Sequence, residues 1–339
     1  MAGQPYFIVM ADPQPAEQAI WLQGLADPLG LRVQAPVAED EAELKALLAQ
    51  AEGMIFQRRV VTAEILTAAP HLRVIQKMGG RRDKIDISAA RARGIAVALM
   101  PMPGSVAVAE HAMTLLLACA KRLLLAHRLT ATGAYRDLGI EPKVTTERSH
   151  GFQWMKMPDL VELAGLTLGI FGFGDIGNEI AKRARAFDMQ ILYHKRNRLE
   201  ADLEAELGVA YADKDDLLRR SDFVVMTSPL TPETEKSIGA RELALMQPTA
   251  YLINVSRGGV IEEEALVQAL LSRQIAGAGL DVFVQEPIPH NHPLLSLDSV
   301  ILTPHIAGGK GGARERQAVA ILTNLKRFVD GQPLQHRIV

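Results

Sequence analysis

The sequence predicts an α/β protein with two doubly wound parallel sheets, and three observations predict it. Short apolar stretches typical of buried strands alternate with stretches of helical spacing through the first hundred residues. A second alternating series runs from about residue 163 to residue 304, and a glycine-rich turn joins its first strand to a helix. Because alternating strands and helices form crossover units, we expect parallel sheets with helices on both faces.

The first series contains three clear strands with helices between them. Thr62, followed by Ile65 and Leu66, has the pattern of a helix start, because a threonine side chain can cap the free amides of the first turn. The predicted strands are 6–10, 54–56 and 72–75, and the predicted helices are 16–29, 41–51 and 62–69.

The second series lies between a central helix and a final helix. Its predicted strands are 167–171, 190–193, 223–226, 250–254, 279–283 and 300–302. The central helix is predicted over 105–129 and the final amphipathic helix over 314–328. Residues 130–159, rich in Gly, Pro, Thr and charge, are predicted to form an irregular excursion, which in a compact domain is usually functional or an assembly arm.

The composition excludes several classes of protein. The chain has 37 Lys and Arg against 39 Asp and Glu, so its net charge of −2 gives no global attraction to nucleic acid or anionic lipid. The single cysteine, Cys119, excludes an intramolecular disulfide and a cysteine-rich zinc site. Its apolar run, 112–120, is too short to span a bilayer. Because residues 1–10 also show no signal-peptide pattern, a cytoplasmic protein is expected.

A glycine-rich loop follows the strand predicted at 167–171. Its G-x-G-x-x-G pattern opens a helix and consists of Gly172, Phe173, Gly174, Asp175, Ile176 and Gly177. Glycines allow the tight turn and the close approach of a pyrophosphate, and the helix N-terminus offers free amides to that anion. We therefore predict a dinucleotide site here. The alternative is a structural turn without a ligand.

The end of the next strand bears on which nicotinamide cofactor binds. Proteins of this type that bind NAD usually place an acidic residue there for the ribose 2′-hydroxyl, whereas this chain has His194, Lys195 and Arg196. Cationic side chains suit a 2′-phosphate better than a hydroxyl, so NADP(H) is favoured over NAD(H). The alternative is a solvated basic turn in a protein that accepts NAD through other contacts.

Three polar residues, Arg257, Glu286 and His305, each follow a later strand, where ligands of an open parallel sheet bind. A histidine there can give a proton to a carbonyl oxygen while a nicotinamide delivers hydride to its carbon. A carboxylate can stabilise the protonated imidazole, and an arginine can hold a substrate carboxylate with two hydrogen bonds. Taken singly, each is an ordinary surface or loop residue. Their conjunction with the glycine loop favours catalysis.

These residues, in this order, resemble the D-isomer-specific 2-hydroxyacid dehydrogenase family, with its glyoxylate/hydroxypyruvate reductase-like and phosphoglycerate dehydrogenase-like members. The resemblance covers nearly the whole chain. Further segments that look like the family's signatures are Val108-Ala109-Glu110-His111, Ser221-Asp222-Phe223, Pro229-Leu230-Thr231-Pro232-Glu233-Thr234 and Ala276-Gly277-Ala278-Gly279-Leu280-Asp281-Val282-Phe283.

The resemblance implies two Rossmann-like domains, with the cofactor domain inserted into the substrate domain and the active site in the cleft between them. The implied substrate domain comprises 1–105 and 304–339, and the implied dinucleotide-binding domain is 106–303. A homodimer is also implied.

The resemblance further implies hydride transfer between NAD(P)H and C2 of a small 2-oxoacid or D-2-hydroxyacid. Arg257 is then the substrate anchor, His305 the general acid/base and Glu286 the partner of the histidine. The implied cofactor contacts extend to Pro229, Val255 and Asp281, the last on the nicotinamide side.

The substrate loop departs from the family's pattern. Where the family usually has Gly-Val-Gly before an aromatic residue and Asp, this chain has Lys77-Met78-Gly79-Gly80-Arg81-Arg82-Asp83. By resemblance, Gly80 and Arg81 provide the backbone amides that hold the substrate carboxylate. Arg81 or Arg82 either extends the pocket toward a second anionic group or is a solvated cation, so the identity of the substrate stays open.

Two other functions stay open. One is a dinucleotide-sensing interaction protein, since some relatives are transcriptional corepressors, although such a protein would not need Arg257, Glu286 and His305. The other is an oxidoreductase of the same fold whose substrate is not a hydroxyacid. His290 and His292 lie between prolines without an evident third ligand, so no metal site is predicted. No contact with nucleic acid or membrane is expected.

Overall fold

A computed structural model describes residues 5–148, 151–309 and 311–339. The chain divides into two compact units, Met1–Val106 with Gly309–Val339 and Ala107–Gly308. Each unit contains one parallel sheet with helices, which confirms the predicted α/β class. The assignment of 1–105 and 304–339 to a substrate domain, and of 106–303 to a cofactor domain, concerns function and stays a prediction.

Both sheets are parallel in every strand pair. The strands of the first unit are β1 Tyr6–Met10, β2 Leu31–Gln34, β3 Gly53–Phe56, β4 Val74–Met78 and β5 Ala96–Met100. The strands of the second unit are β6 Thr167–Phe171, β7 Gln190–His194, β8 Ala210–Tyr211, β9 Phe223–Met226, β10 Tyr251–Asn254, β11 Gly277–Leu280 and β12 Val300–Leu302.

The α-helices lie between the strands and at the C-terminal end of the chain. They are α1 Ala16–Ala26, α2 Glu41–Leu48, α3 Ala63–Thr67, α4 Ile87–Ala92, α5 Pro103–Ala120, α6 Leu123–Ala131, α7 Asp175–Arg185, α8 Ala201–Leu207, α9 Lys214–Arg220, α10 Ala240–Leu243, α11 Glu263–Leu271 and α12 Ala313–Val329. The predicted helix start at Thr62 is confirmed, since its side chain accepts a hydrogen bond from the Ile65 amide at 3.4 Å.

The sheet of the first unit has the strand order β2-β1-β3-β4-β5. The order reverses between β1 and β3, where Ile8 of β1 pairs with Gly53 of β3 on one side and Val33 of β2 on the other. All five residues of β1 are buried, as expected for a strand covered on both faces. The carboxyl ends of β1 and β3 therefore flank a crevice of the kind in which doubly wound folds bind ligands.

The sheet of the second unit has the strand order β12-β11-β10-β9-β6-β7-β8. Its order reverses between β6 and β9, which is the arrangement of a dinucleotide-binding sheet. Leu168, Ile170, Val225 and Ile253 lie in its core and are fully buried. This switch point positions the loops that follow β6 and β9 beside each other.

Three sequence-predicted elements differ from the structure. The single helix expected over 105–129 is broken into α5 and α6, because Arg122 takes a left-handed conformation with φ of 46°. The strand expected over 279–283 is Gly277–Leu280 instead, since the chain leaves the sheet at Asp281, whose carboxylate binds the loop after β12. The helix expected over 16–29 ends at Ala26 and continues as a 3₁₀ turn before β2.

Helix α5 is the one helix of the described residues that is long and apolar enough to cross a membrane. Half of it is buried inside the protein. Its residues Ala112, Leu115, Leu116 and Cys119 belong to the core that packs on the second sheet. It is therefore a core helix of a soluble protein.

The segment after α6 is irregular, as predicted, within the described parts of 130–159. It contains one 3₁₀ helix, Ala134–Leu138, and an edge-to-face contact between Tyr135 and Trp154 with ring centroids 5.4 Å apart. Large apolar side chains on this segment are exposed, with Phe152 at 84% and Val144 at 91%. His150 lies outside the described residues.

Candidate active site

The glycine loop lies at the switch point of the second sheet, as its motif predicts. Gly172 has a left-handed φ of 91°, and a Cβ atom there would lie 2.5 Å from the Ser228 amide nitrogen in the loop after β9. No other residue type fits that backbone without a shift. Gly174 caps α7, Asp175 begins it, and Ile176 and the buried Gly177 continue its first turn. Phe173 is 2% exposed and contacts the Tyr193 ring.

The polar groups around this loop fit a dinucleotide. Ser228 Oγ and Asp175 Oδ1 are buried, and neither has a hydrogen-bond partner among the described residues. Buried polar atoms of this kind are costly unless a ligand or water satisfies them. The N-terminus of α7 adds free amides and a positive dipole end, which suit a pyrophosphate. These groups would therefore hold the phosphates and ribose of a nicotinamide dinucleotide.

The end of β7 presents His194, Lys195 and Arg196. His194 packs against the Phe171 ring, and its Nδ1 lies 3.1 Å from the Ala212 carbonyl oxygen. Because a carbonyl oxygen only accepts, Nδ1 carries the proton and Nε2 is the ring atom available to a ligand. The Arg196 guanidinium is 80% exposed and lies 4.0 Å from the Glu233 carboxylate.

A third cation of this turn, Arg198, is already engaged. Its guanidinium donates two hydrogen bonds to the Glu204 carboxylate, at 2.9 and 2.8 Å. The Tyr193 hydroxyl donates to the same carboxylate at 2.5 Å and accepts from the Leu199 amide at 2.9 Å. Arg198 therefore supports the turn between β7 and α8. The predicted contacts of a cofactor phosphate are His194, Lys195 and Arg196.

His305 and Glu286 form a direct pair in the second unit. The imidazole Nδ1 lies 2.6 Å from Glu286 Oε2, and the other carboxylate oxygen accepts from the Phe283 amide at 3.1 Å. Burial acts to raise the pKa of Glu286, but the hydrogen bonds from His305 and from the Phe283 amide outweigh it and hold that pKa below its ordinary value. The carboxylate is thus ionised near neutral pH, Nδ1 donates to it, and Nε2 is left to face a substrate.

Asp281 holds the loop that carries His305. Its carboxylate is fully buried and accepts hydrogen bonds from the amides of Ile306 and Ala307, at 2.9 and 2.8 Å, and from Thr303 Oγ1 at 2.6 Å. Its backbone carbonyl accepts from the His305 amide at 2.9 Å. These bonds fix His305 in a left-handed conformation with φ of 54°, which a non-glycine residue adopts only when its surroundings enforce it.

His111 of α5 completes this network, and sequence reasoning assigned it no role. Its Nε2 lies 2.9 Å from Thr303 Oγ1 and 3.3 Å from Asp281 Oδ1. The only sequence signal was its place in the family-like segment 108–111. Contact between Asp281 and the nicotinamide stays a prediction. The hydrogen bonds show that Asp281 also positions the loop that carries His305, which the sequence did not reveal.

Arg257 sits in a loop that is pressed against the segment leading to Glu286. The Asn254 side chain fixes this loop by donating to the Arg257 carbonyl oxygen and accepting from the Ser256 amide, both at 3.0 Å. A Cβ atom on Gly258 would collide with the Phe283 backbone, so only glycine permits this approach. The Arg257 side chain is exposed, with Nη1 bonded to the Ser256 carbonyl oxygen at 2.6 Å. Its other guanidinium nitrogens are suited to bind a carboxylate.

Two further predicted cofactor contacts lie at neighbouring strand ends. Pro229 is exposed after β9, and its carbonyl oxygen accepts from Thr234 Oγ1 at 2.6 Å. Val255 follows β10 and is 6% exposed. Pro229 thus lies at the switch point and Val255 at the end of the next strand, so their positions agree with a cofactor lying across the strand ends.

The predicted substrate loop belongs to the first unit. Gly79 and Gly80 follow β4, and the Gly79 amide donates to the Met100 carbonyl oxygen at 2.7 Å. Arg81 is 7% exposed and forms an ion pair with Asp83 at 3.1 Å, so it is a buried cation and not a solvated one.

Metal and thiol chemistry find no support at this site. Residues 5–148, 151–309 and 311–339 contain no group of three or more His, Cys, Asp or Glu that could hold a metal ion. His292 instead accepts from the Leu294 amide at 3.3 Å and pairs with Glu263 at 3.2 Å. Burial raises the pKa of Cys119 to about 12, as expected for an inert core thiol.

Comparison with known proteins gives concordant results. Residues 113–307 match the family model described as "D-isomer specific 2-hydroxyacid dehydrogenase, NAD binding domain". The glyoxylate reductase of Thermococcus gammatolerans is 42% identical over 272 residues, which cover 80% of this chain and 78% of that protein.

Solved structures show the same architecture. The PH0520 protein of Pyrococcus horikoshii is 28% identical, with a TM-score of 0.58 and coverage of 98% of this chain and 95% of that chain. An NADPH-dependent glyoxylate/hydroxypyruvate reductase of Sinorhizobium meliloti, solved with NADP and malonate, is 29% identical, with a TM-score of 0.53 and coverage of 99% and 97%.

Proposed function

This chain belongs to the D-isomer specific 2-hydroxyacid dehydrogenase family, and from that premise we propose that Arg257, Glu286 and His305 bind a small 2-oxoacid such as glyoxylate and supply the proton for its reduction by NAD(P)H. Membership makes it an NAD(P)-dependent oxidoreductase. The observation that carries the catalytic proposal is the 2.6 Å contact between His305 Nδ1 and Glu286 Oε2.

The chain's own residues perform the proton transfer and the binding of the substrate. The nicotinamide, when bound, supplies the hydride that adds to C2. Protonated His305 holds a proton at Nε2 and gives it to the C2 oxygen, which leaves a neutral ring with Nδ1–H still bonded to Glu286. In the reverse direction, Nε2 takes the proton from the hydroxyl group. Arg257 binds the substrate carboxylate and polarises the adjacent carbonyl.

The backbone amides of Gly80 and Arg81 are proposed to bind the substrate carboxylate as well. They follow β4 at the carboxyl edge of the first sheet, where ligands of such sheets bind. The buried pair of Arg81 with Asp83 supports this role, because it fixes the loop conformation that would aim the amides at a carboxylate.

The cofactor is NADPH in preference to NADH. Lys195 and Arg196 present cationic donors where a 2′-phosphate would lie, with the His194 ring beside them, and the described end of β7 carries no carboxylate to bind a 2′-hydroxyl. Replacing both Lys195 and Arg196 by Ala should lower the kcat/KM ratio of NADPH to NADH about tenfold. The exposed Arg220→Ala variant on α9 is the matched control.

The oligomeric state and the cellular compartment are proposed along with this function. The exposed apolar side chains of the segment 130–159, such as Val144 and Phe152, are the surface through which we propose that a homodimer assembles. A reductase that consumes NADPH works where that coenzyme is maintained, which supports the cytoplasm as its compartment.

The decisive experiment follows oxidation of NADPH and NADH with glyoxylate, hydroxypyruvate, phenylpyruvate and 2-oxoglutarate. His305→Ala should lower kcat about 100-fold or more, whereas His290→Ala, an exposed histidine of the same unit, is the control. Turnover that survives His305→Ala would contradict the assignment. Tight cofactor binding without turnover of any 2-oxoacid would favour a dinucleotide sensor.

A further inference from the structure

A cavity of about 650 Å³ lies within the first unit, at the switch point of its sheet. It is lined by Met10 and Asp12 at the end of β1, by Ile55 and Arg58 at the end of β3, and by Gln317 of α12. Ligands of doubly wound sheets bind where the strand order reverses. The volume lies in the range of pockets that hold small organic molecules.

One buried side chain on this cavity has an unpaired donor. Gln317 is 7% exposed, and its Nε2 has no hydrogen-bond partner among the described residues. An unpaired buried donor costs free energy that an acceptor atom placed in the cavity would recover. Gln317 lies close to the N-terminus of the 17-residue helix α12, whose dipole favours a negatively charged acceptor.

The charge of the lining agrees with an anionic group. Arg58 and Arg314 both line the cavity, and the Arg314 guanidinium lies 4.9 Å from the centre of the Trp21 ring. The carboxylate on the lining, Asp12, is engaged by the backbone amides of Gln57, Arg58 and Arg59. Apolar side chains such as Met78 and Ile321 form much of the rest of the wall, together with glutamine side chains. A complementary ligand has an apolar stem and an anionic end.

We infer that this cavity takes the chain of an extended 2-oxoacid and binds a carboxylate at its far end. The inference rests on the proposed function. Met78 lines the cavity and leads directly into Gly79 and Gly80, the loop proposed to hold the 2-oxoacid's own carboxylate. Glyoxylate has no carbon beyond C2 and would leave the cavity empty. A longer 2-oxo dicarboxylate extends into it and places a carboxylate oxygen where Gln317 can donate to it.

Steady-state kinetics with NADPH and three acids tests this assignment. The acids are glyoxylate, 2-oxohexanoate and 2-oxoadipate, the last two differing in a terminal carboxylate. We expect kcat/KM for 2-oxoadipate to exceed that for 2-oxohexanoate by about tenfold or more, since the charged group gains hydrogen bonds. Gln317→Leu and, independently, Arg314→Gln should each lower this ratio. The exposed Gln332→Leu should keep it. A ratio near one in the unmodified enzyme overturns the inference.

Fluorescence separates failure of the cavity from failure of the proposed function. The chain has two tryptophans, so Trp154→Phe leaves Trp21 on the cavity wall as the sole reporter. We expect a saturable change with 2-oxoadipate that Gln317→Leu weakens. Turnover of glyoxylate without this change and without chain-length preference overturns the cavity and keeps the function. Absence of turnover with every acid overturns the proposed function and, with it, the substrate assigned to the cavity.

Discussion

Asp12 and Asp281 perform the same structural task in the two sheets of this protein. Each follows a strand, β1 or β11, is buried, and accepts hydrogen bonds from backbone amides of the loop after the neighbouring strand, β3 or β12. They differ in what the loop carries. The loop held by Asp281 carries His305, whereas the loop held by Asp12 carries Arg58 at the mouth of a cavity. The same arrangement therefore positions the proposed proton donor in one sheet and borders the proposed ligand cavity in the other.

Asp281→Asn is expected to have the largest effect, because it disrupts the hydrogen bonds that hold the loop carrying His305. An amide cannot accept from all three donors, so His305 loses its enforced conformation. We expect kcat to fall about 100-fold, the cost of a small misplacement, and the free energy of unfolding to fall by about 3 kcal/mol. Kinetics and urea unfolding measure both.

The control for this variant is Asp298→Asn, which changes an exposed aspartate of the same unit. A positioning role changes kcat more than the KM for NADPH. A rise in that KM alone would instead assign Asp281 to the cofactor.

Asp12→Asn makes the corresponding change in the sheet of the first unit. It leaves backbone amides of the loop after β3 without a full acceptor, so the free energy of unfolding should fall by about 2 kcal/mol. The kcat for glyoxylate should fall much less than in Asp281→Asn, because the loop that carries His305 keeps all its bonds. An equal loss of kcat in the two variants would erase the distinction between the loops.

Glu242 offers a third carboxylate for comparison, one held mainly by cationic side chains and not by backbone amides alone. Burial acts to raise its pKa, but hydrogen bonds from Lys214, Arg241 and the Gly239 amide outweigh it and lower the pKa to about 2, from an ordinary 4.5. A lowered pKa contributes stability above pH 4.5 that is lost as the pH falls through about 2. Glu242→Gln should therefore cost about 2 kcal/mol at pH 7.

The difference between Glu242→Gln and the unmodified protein should shrink steadily as the pH falls below 4.5, as measured by denaturant unfolding at several pH values. Glu264→Gln, an exposed glutamate on α11, is the control. A difference that does not depend on pH would show that Glu242 acts by packing and not by charge.

Thr303→Val should have the smallest effect. It removes one of the donors to Asp281 and the contact with His111 while keeping the side-chain shape. We expect kcat to fall about fivefold, which corresponds to the roughly 1 kcal/mol of one hydrogen bond. Thr114→Val, an exposed threonine on α5, controls for the substitution. A loss of kcat as large as that of Asp281→Asn would show that Thr303, and not Asp281, chiefly positions the loop that carries His305.

Elements that depend on local sequence pattern were predicted correctly. Apolar runs identified strands such as β1 and β6, and the glycine spacing located the turn at Gly172. Strand β5 was missed, although it is as long as β1. The edge strands β2 and β8 were also not predicted, because two to four residues carry too little periodicity to distinguish a strand from a loop. The break at Arg122 was missed for a related reason, since neither glycine nor proline marks it.

Side-chain networks were harder to predict than elements. His111 and Asp281 are 170 positions apart by number, and nothing local to either says that they meet. The same holds for Asp12 and the amides of 57–59, and for the cavity at Gln317. The grouping of Glu286 with His305 was expected by resemblance to a family. Its 2.6 Å distance comes from the structure.

The bonds among Tyr193, Arg198 and Glu204 bear on how this enzyme could change its coenzyme over evolutionary time. Those three side chains stabilise the turn after β7, so a lineage that exchanges Arg198 weakens the turn that carries the proposed phosphate contacts. Replacing the exposed Arg196 should cost much less stability. Drift from one dinucleotide to the other is therefore expected to begin at Arg196 and to leave Arg198 in place.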